Sequence, residues 1–172
     1  NQSIRAFLVE WDNSAPLNFN DAQVTALDDA FAAAYEKQAA QPWIEDMTTL
    51  RGQYVQALER RRDELQQAGQ SQSVSILENE IAVMRSGQDI PADGTADHAL
   101  LRDLRRTFRD NAKRHLAERE KRTASLYDSY ARALQTHEVE LLRDNKKDAA
   151  AAIKALREAV QKRQIIPLAS PS

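Results

Sequence analysis

The 172-residue sequence contains no cysteine and few of the residues that build turns and strands: four glycines, five prolines and 6% aromatic residues. Without cysteine, a disulfide framework and a thiolate zinc site are both excluded. The scarcity of glycine and proline disfavours β-sandwiches and barrels, which need many turns. No apolar run approaches the roughly 18 residues of a transmembrane helix. With 42% hydrophobic and 29% charged residues, the chain fits a single all-α domain.

Apolar side chains recur at the helical period along most of the chain. They predict helices over residues 20–40, 43–68, 72–85, 98–144 and 147–164. Asn20 is expected to cap the first helix. Pro42 is expected to break or kink the chain, because a proline disfavours helical backbone at the residue before it. Gly69 stands just beyond a helix end, where glycine adopts a left-handed conformation at little cost.

These helices group into two repeats. We expect an N-terminal arm at residues 1–19, helical repeat 1 at 20–86, a linker at 87–97, helical repeat 2 at 98–164 and a C-terminal tail at 165–172. The linker is assigned from its composition, since it contains Pro91, Gly94 and three aspartates. Both repeats are expected to belong to one domain overall.

The grouping depends on an internal sequence repeat at an offset of 76 positions. Leu50, Tyr54, Ala57, Leu58, Leu65 and Gly69 correspond to Leu126, Tyr130, Ala133, Leu134, Leu141 and Asn145. Upstream, Phe31 and Tyr35 match Leu104 and Phe108 at an offset of 73. Glycine and asparagine are the residues that best tolerate left-handed backbone, so their correspondence predicts the same helix–turn–helix twice.

The repeat predicts an all-α, elongated antiparallel helical bundle, coiled-coil-like in character, made of two duplicated hairpins of a long and a short helix. Segments 43–68, 72–86, 123–144 and 147–164 are expected to form a four-helix body. Segments 20–40 and 98–120 are then expected to pair as an extension of that body.

The net charge of −2 is unevenly distributed and agrees with this pairing. Residues 1–50 carry two basic and eight acidic side chains, whereas residues 101–122 carry nine basic and four acidic ones. One edge of the first helix carries Asp21, Asp28, Asp29 and Glu36, and one edge of segment 98–120 carries Arg102, Arg106, Arg109 and Lys113. We call the second set the basic stripe. Exposed ion pairs contribute little stability, so these charges would mainly select the partner helix and its register.

The basic stripe has an alternative interpretation as a binding surface for a polyanion, either a nucleic acid or another anionic polymer. Such binding would depend strongly on salt. A sequence pI near 6.0 is unusual for a dedicated nucleic-acid binder, so we expect nucleic acid not to be the partner. The apolar faces also lack the tryptophan and phenylalanine density of interfacial helices, so we do not expect membrane binding.

Motifs for catalysis or metal binding are scarce. His98, His115 and His137 all lack a glutamate three positions earlier, which excludes the Glu-x-x-His pattern of di-iron bundles. The reversed pairs His115/Glu118 and His137/Glu140 each offer at most two ligands on one helical face. There is no G-x-S-x-G motif and no glycine-rich phosphate loop. We therefore predict no catalytic, cofactor-binding or metal-binding residues and no enzymatic activity.

The stretches LRGQYVQALERRRDELQQAGQ (50–70) and LYDSYARALQTHEVELLRDNKKDAAAAIKALREAV (126–160) carry an L-x₃-Y-x₂-AL motif, a charged helix and a turn. In this pattern the chain resembles secreted, alanine-rich helical repeat proteins of planctomycete and verrucomicrobial bacteria. The resemblance covers about residues 25–163. It implies an extracytoplasmic location and a scaffold or interaction role, and it brings no catalytic residue with it.

Together these patterns predict a non-enzymatic structural or protein–protein interaction module that binds a protein partner or itself. Between Phe108 and Leu126 the apolar stripe contains only one large aliphatic side chain, Leu116, so this stretch is expected to be exposed or covered by a partner. The chain begins at Asn1 rather than methionine, which fits a mature secreted form or a trimmed fragment. We expect a periplasmic or extracellular location, and a cytoplasmic one stays open because the lack of cysteine fits both.

Overall fold

The structure is a computed structural model that describes residues 21–94 and 98–162. All regular secondary structure in these residues is helical, which confirms the all-α prediction. The elements are α1 (Ala22–Tyr35), a π-helical turn (Glu36–Ala40), α2 (Gln41–Gln67), α3 (Ser71–Arg85), α4 (His98–Arg143) and α5 (Lys147–Gln161). The predictions for the arm, for Asn20, for the last part of the linker and for the tail lie outside the described residues. No helix in the described ranges combines the length and the hydrophobicity needed to cross a bilayer.

Helix α1 is capped by Asp21, one residue after the predicted Asn20. The Asp21 carboxylate accepts hydrogen bonds from the backbone N–H groups of Gln23 (2.8 Å) and Val24 (3.2 Å). These are donors that the first turn of a helix leaves without an intrahelical partner. Asp21 therefore fixes where α1 begins.

The helix does not end at Pro42, so of the predicted break or kink the break is wrong. The residue before it, Gln41, is helical (φ −60°, ψ −48°), and its N–H bonds the carbonyl of Glu36, five residues earlier. Proline has no N–H and its ring clashes with the carbonyl four residues earlier in a regular α-helix. The π-helical turn immediately before Pro42, with its i→i−5 bond, is wider and accommodates both the proline ring and the missing N–H. Helix α2 therefore continues directly.

The turn between α2 and α3 has the predicted left-handed glycine. Gly69 has φ +71°. Its N–H bonds the Gln66 carbonyl at 3.1 Å, and the N–H of Gln70 bonds the Leu65 carbonyl at 2.9 Å. This pair of bonds is a Schellman motif, which satisfies carbonyls that the end of α2 would otherwise leave without donors.

The turn between α4 and α5 repeats this geometry. Asn145 has φ +58°. Its N–H bonds the Leu142 carbonyl at 3.1 Å, and the N–H of Lys146 bonds the Leu141 carbonyl at 2.9 Å. The residues that precede α3 and α5 also match, because Gln70 (φ −90°, ψ 67°) and Lys146 (φ −91°, ψ 65°) have nearly identical backbone angles.

The chain divides into two compact units. A terminal unit contains Asn1–Gln41 and Arg119–Ser172, and a central unit contains Pro42–Glu118. Both boundaries fall inside helices, one after Gln41, the first residue of α2, and one within α4. Each unit therefore receives part of α4.

In the terminal unit, α1, α5 and the second part of α4 share one apolar core. Its fully or almost fully buried members are Val24, Ala39, Leu134, Ala150, Ile153, Leu156 and Val160. An aromatic group completes it: the ring of Phe31 contacts those of Tyr127 (5.0 Å between centroids) and Tyr130 (5.6 Å). Aromatic pairs at such separations add stability beyond the area that they bury.

In the central unit, α2, α3 and the first part of α4 share a second core. Its members are Leu50, Tyr54, Leu58, Leu65, Leu77, Ile81, Met84, Leu101 and Phe108. The rings of Tyr54 and Phe108 lie 5.2 Å apart. Each core thus has a tyrosine and a phenylalanine in contact.

The expected four-helix body is wrong. Hairpin α2–α3 belongs to the central unit, and hairpin α4–α5 contributes to the terminal unit. Each packs with a further helical segment, because two helices alone do not cover their apolar stripes. The expected pairing of segments 20–40 and 98–120 is also wrong, since they contribute to different cores. Asp28, expected on an exposed acidic edge, is buried in the terminal unit.

Two glycines of the central unit should respond to alanine with opposite signs. In both cases the added Cβ would meet no atom within 4 Å, so only the backbone matters. Gly69→Ala should lower the free energy of unfolding by about 1 kcal/mol, because alanine is strained at positive φ. Gly52→Ala, within α2, should raise it by about 0.5–1 kcal/mol. Urea denaturation followed by circular dichroism measures both changes, and changes of equal sign would contradict this account.

Candidate functional site

The basic stripe lies on the first part of α4, within the central unit. Arg102, Arg106 and Lys113 are exposed, and Arg106 approaches Asp103 of its own helix at 3.9 Å. Arg109 is different, because its guanidinium contacts the linker. It bonds the Asp93 carboxylate at 2.9 Å and the Pro91 carbonyl at 2.9 Å. The stripe therefore divides into three exposed cations and one structural cation.

Arg105 of the same helix, which was not among the predicted site residues, forms several side-chain hydrogen bonds. Its Nε and Nη2 atoms donate to the two carboxylate oxygens of Glu80 on α3 at 3.0 and 2.8 Å. The Tyr54 hydroxyl of α2 donates to Glu80 Oε1 at 2.9 Å. The side chains of Arg105 and Glu80 are only 5% and 4% exposed. We call Tyr54, Glu80 and Arg105 the buried triad.

Two members of the buried triad, Tyr54 and Arg105, keep their protons near neutral pH. Burial and the neighbouring Glu80 charge raise the pKa of Tyr54 well above its usual value of 10.0. The hydrogen bond to Glu80 raises the pKa of Arg105 above its usual value, although burial acts in the opposite direction. A two-point bond between guanidinium and carboxylate is among the strongest that side chains form. The triad therefore joins α2, α3 and α4 at one point.

The signal for the buried triad is present in the sequence. Arg105 falls four residues after Leu101 and three before Phe108, which are both buried. These spacings place it on the apolar face of α4 rather than with the stripe. Glu80 likewise follows Leu77 by three residues and precedes Met84 by four. A charged residue at such positions indicates a partner on another helix, since unpaired buried charge is costly.

Arginine side chains of α2 and α4 form hydrogen bonds with the start of the linker. Arg51 of α2 donates to the carbonyls of Met84 (3.2 Å) and Gln88 (2.6 Å). Further along, Asp93 receives Arg109 and also Arg105 Nη1, the latter at 3.3 Å. The bond from Arg109, more than any other contact, lowers the pKa of Asp93. Residues 88–93 are thus fastened to α2 and α4.

One cleft adjoins these contacts, and a wider one lies elsewhere in the central unit. A cleft of about 320 Å³ lies beside the buried triad and is lined by Ile76, Asn79, Glu80, Val83, Pro91, Ala92, Gly94, Leu101 and Arg105. A wider one of about 720 Å³ is lined by Ala57, Arg60, Arg61, Glu64, Ser73, Ala99, Leu100, Asp103 and Leu104. In the first, the carboxylate and guanidinium are bonded to each other, so neither is poised to exchange a proton with a ligand. The arrangement is suited to holding helices together.

The terminal unit contains a second set of polar contacts. The Tyr130 hydroxyl donates to the buried Asp28 carboxylate of α1. His137, which is also buried, approaches Asp21 with Nε2 at 2.7 Å from the carboxylate oxygen. Burial alone would raise the pKa of Asp21, but hydrogen bonds from His137, Val24 and Gln23 outweigh it and lower that pKa below 3.8. Asp21 is therefore a carboxylate that caps α1 and joins it to α4.

The two histidine–glutamate pairs considered as metal ligands do not gather further ligands. His115 Nδ1 lies 3.3 Å from the Asp46 carboxylate of α2. His137 Nδ1 lies 3.8 Å from the Glu140 carboxylate. Within residues 21–94 and 98–162, no three histidine, aspartate or glutamate side chains are arranged to hold a metal ion. The histidines instead pair with carboxylates on neighbouring helices.

Comparison with known proteins adds no relative. No family model, curated protein or solved structure matches this chain.

The buried triad should show strong coupling in a double-mutant cycle. Glu80→Leu and Arg105→Met should each lower the free energy of unfolding by about 3–5 kcal/mol, because each leaves a charge or polar groups buried without its partner. The double variant should cost less than the sum of the two, by about 2 kcal/mol. The exposed pair Arg85–Glu59 is a matched control, with an expected coupling below about 1 kcal/mol. Urea denaturation measures all the variants, and strictly additive losses at Glu80 and Arg105 would contradict the proposed coupling.

Proposed function

We propose that this chain is a non-enzymatic structural or protein–protein interaction module made by duplication of a helix–turn–helix. The observation that carries the interaction role is an exposed apolar pair near the end of α4. Val139 is 41% exposed and Leu142 is 53% exposed. They stand three residues apart and therefore share one face of the helix. We call them the apolar pair.

The duplication is supported by matching turn geometry and matching aromatic contacts. The two Schellman turns have the same bonds, and their residues stand 76 positions apart. Tyr54 contacts Phe108, whereas Tyr130, at the corresponding position, contacts Phe31. These contacts favour matching residues of α1 with residues 77 positions later, at the start of α4. This offset is about one helical turn more than the offset of 73 expected from sequence. At the new offset Asp28 corresponds to Arg105, so each copy buries one charged residue of this helix beside its tyrosine.

The interaction role also agrees with where the stabilising polar contacts lie. The buried polar side chains Glu80, Arg105 and His137 bond other side chains of their own unit. The apolar pair, in contrast, lies at the surface beside charged and polar neighbours. Apolar side chains that share an exposed face are favourable to bury against a second protein surface. Leu116, 41% exposed in the stretch expected to bury little, is a further candidate contact.

The direct test of the interaction role is whether the chain self-associates through the apolar pair. Multi-angle light scattering over a concentration series should give a mass that rises above 19.4 kDa for the unmodified chain. Val139→Lys together with Leu142→Lys should return the monomer mass, because lysine removes the apolar contact and adds like charges. Ser129→Lys with Gln135→Lys is the control, since it adds the same charge at exposed polar positions of α4. A monomer at every concentration for the unmodified chain would contradict self-association.

The runner-up proposal is a polyanion-binding module, and the exposure of Arg102, Arg106 and Lys113 is the observation that favours it. Replacing these three by glutamine should abolish binding to heparin or duplex DNA at low salt. As the three cations are replaced in turn, the magnitude of the slope of log DNA affinity against log salt should decrease by up to about three in total, until binding is no longer detected. Lys147, Lys154 and Lys162, replaced together, are the control because they are also exposed cations. No binding by the unmodified chain at low salt would overturn this proposal.

In line with the resemblance to secreted helical repeat proteins, the proposed location is periplasmic or extracellular. A module of this kind would act by holding or joining other proteins. The absence of cysteine is compatible with that location, because each unit joins its helices by buried apolar and polar contacts rather than by disulfides.

A further inference from the structure

Each apolar core is made jointly by the two repeats. In the central unit, repeat 1 (residues 20–86) supplies α2 and α3, and repeat 2 (residues 98–164) supplies the first part of α4. In the terminal unit the contributions are reversed, since repeat 2 supplies α5 and the second part of α4, whereas repeat 1 supplies α1. Each core is therefore complete only where repeat 1 meets repeat 2.

The segments that the repeats give to each other's cores have corresponding buried positions. Val24 of α1 corresponds to Leu101 of α4 at the offset of 77, and their exposed fractions are 0% and 1%. Phe31 corresponds to Phe108 at the same offset, and each ring contacts a tyrosine of its own unit. We call α1 and residues 98–118 the third segments of their units.

The offset between the repeats changes at the π-helical turn, Glu36–Ala40. It is 77 in the third segments before this turn and 76 in the helices after it. Repeat 1 thus has one residue more than repeat 2 at this point, and a π-helical turn accommodates an extra residue without ending the helix. The two repeats therefore match along their whole long helices.

The third segments differ in the charge that they bury. In repeat 2 the third segment carries Arg105, which bonds Glu80 of repeat 1. In repeat 1 the corresponding residue is Asp28, which accepts the hydroxyl of Tyr130 of repeat 2. The residue of repeat 2 that corresponds to Glu80 is Leu156, which is 0% exposed. Each third segment therefore carries the group that suits the unlike repeat.

A pairing of like repeats would bury charge without a suitable partner. If repeat 1 received the third segment of another repeat 1, Asp28 would replace Arg105, and two carboxyl groups would lie side by side at Glu80 without a cation. If repeat 2 received the third segment of another repeat 2, the Arg105 guanidinium would lie beside Leu156 without a carboxylate. Buried charge without a partner is costly. The cores thus favour the unlike repeat over the like one.

We propose that each repeat recognises the unlike repeat, and that a second copy of this chain supplies it by reciprocal exchange of repeats. In this dimer, repeat 1 of each chain pairs with repeat 2 of the other, and both units keep the contacts that they have within one chain. The conformation that changes is that of the linker, residues 87–97, so exchange is a low-cost route to a dimer. The proposal rests on the duplication proposed above and not on the apolar pair.

Cross-linking between single cysteines tests the exchange, because the chain has no cysteine of its own. In the central unit Asp46 of repeat 1 lies 3.3 Å from Nδ1 of His115 of repeat 2, and both side chains are partly exposed. One chain carries Asp46→Cys and a second chain carries His115→Cys. Both also carry Val139→Lys and Leu142→Lys, so that association through the apolar pair does not contribute. The two chains are unfolded together in urea, refolded and treated with a short bismaleimide.

The mixture should give a covalent dimer whose yield rises with protein concentration. It should reach on the order of a tenth of the protein or more near about 1 mM, the effective concentration that a short flexible linker provides. Either chain refolded alone should give at least about tenfold less, because like repeats do not pair. A chain with both cysteines is the control and should cross-link within the monomer. The proposal is overturned if the mixture gives no covalent dimer while this control cross-links, or if one chain alone gives as much.

Inversion of the buried pair provides a second test without a cross-linker. Glu80→Arg places two cations together and Arg105→Glu places two carboxyl groups together, so each variant alone should unfold at a lower temperature. In an exchanged dimer of the two variants, the introduced arginine of one chain meets the introduced glutamate of the other, and the unmodified Glu80 meets the unmodified Arg105.

Refolded together, the two variants should unfold at least about 5 °C above the more stable single variant. Light scattering should give about twice the 19.4 kDa of one chain. A chain with both substitutions is the reference for the stability that an inverted pair permits. A mixture that melts as its two separate components, at the monomer mass, contradicts the exchange.

Discussion

Each unit places a tyrosine hydroxyl inside an apolar core, and the charges around it follow from the need to give that hydroxyl an acceptor. Tyr54 uses Glu80 from α3, whereas Tyr130 uses Asp28 from α1. A carboxylate buried this deeply needs compensation, and in the central unit the two-point bond from Arg105 supplies it. The Tyr54 hydroxyl of α2 thus requires an acceptor from α3, and that acceptor requires a cation from α4. The packing of α2, α3 and α4 in the central unit depends on that chain of requirements.

The local features of this fold could be predicted from sequence because their causes are local. Gly69 and Asn145 adopt left-handed backbone as intrinsic preference dictates, and the long helix to Arg143 follows from uninterrupted periodicity. The grouping of helices could not be predicted, since every segment has an apolar stripe and periodicity does not say which stripes meet. Arg105 was missed for a related reason. Its spacing from Leu101 and Phe108 places it on the apolar face, but helical spacing does not identify its partners, Glu80 of α3 and Asp93 of the linker.

The buried contacts also limit what the basic segment has available for a partner. Arg105 serves the core, and Arg109 fastens the linker through Asp93. Arg102, Arg106 and Lys113 are left at the surface, a smaller set of cations than the sequence of this segment suggests. Electrostatic affinity for a polyanion scales with the number of phosphates that are neutralised. Internal use of the arginines therefore favours a structural and interaction role over polyanion binding, while the apolar pair of α4 stays exposed.

The two units differ in the charged side chains that bond their third helical segment to the other helices. In the central unit α4 is held through a guanidinium, which keeps its proton at every pH where a protein is folded. In the terminal unit α1 supplies the carboxylates itself, since Asp28 accepts from the Tyr130 hydroxyl and Asp21 pairs with His137. The helix that brings the ionised group therefore differs between the units. In the central unit α4 brings a cation to a buried carboxylate of α3, whereas in the terminal unit α1 brings a buried carboxylate to a hydroxyl of α4. In both units the buried charged group is bonded to a side chain of another helix, as the cost of unpaired buried charge requires.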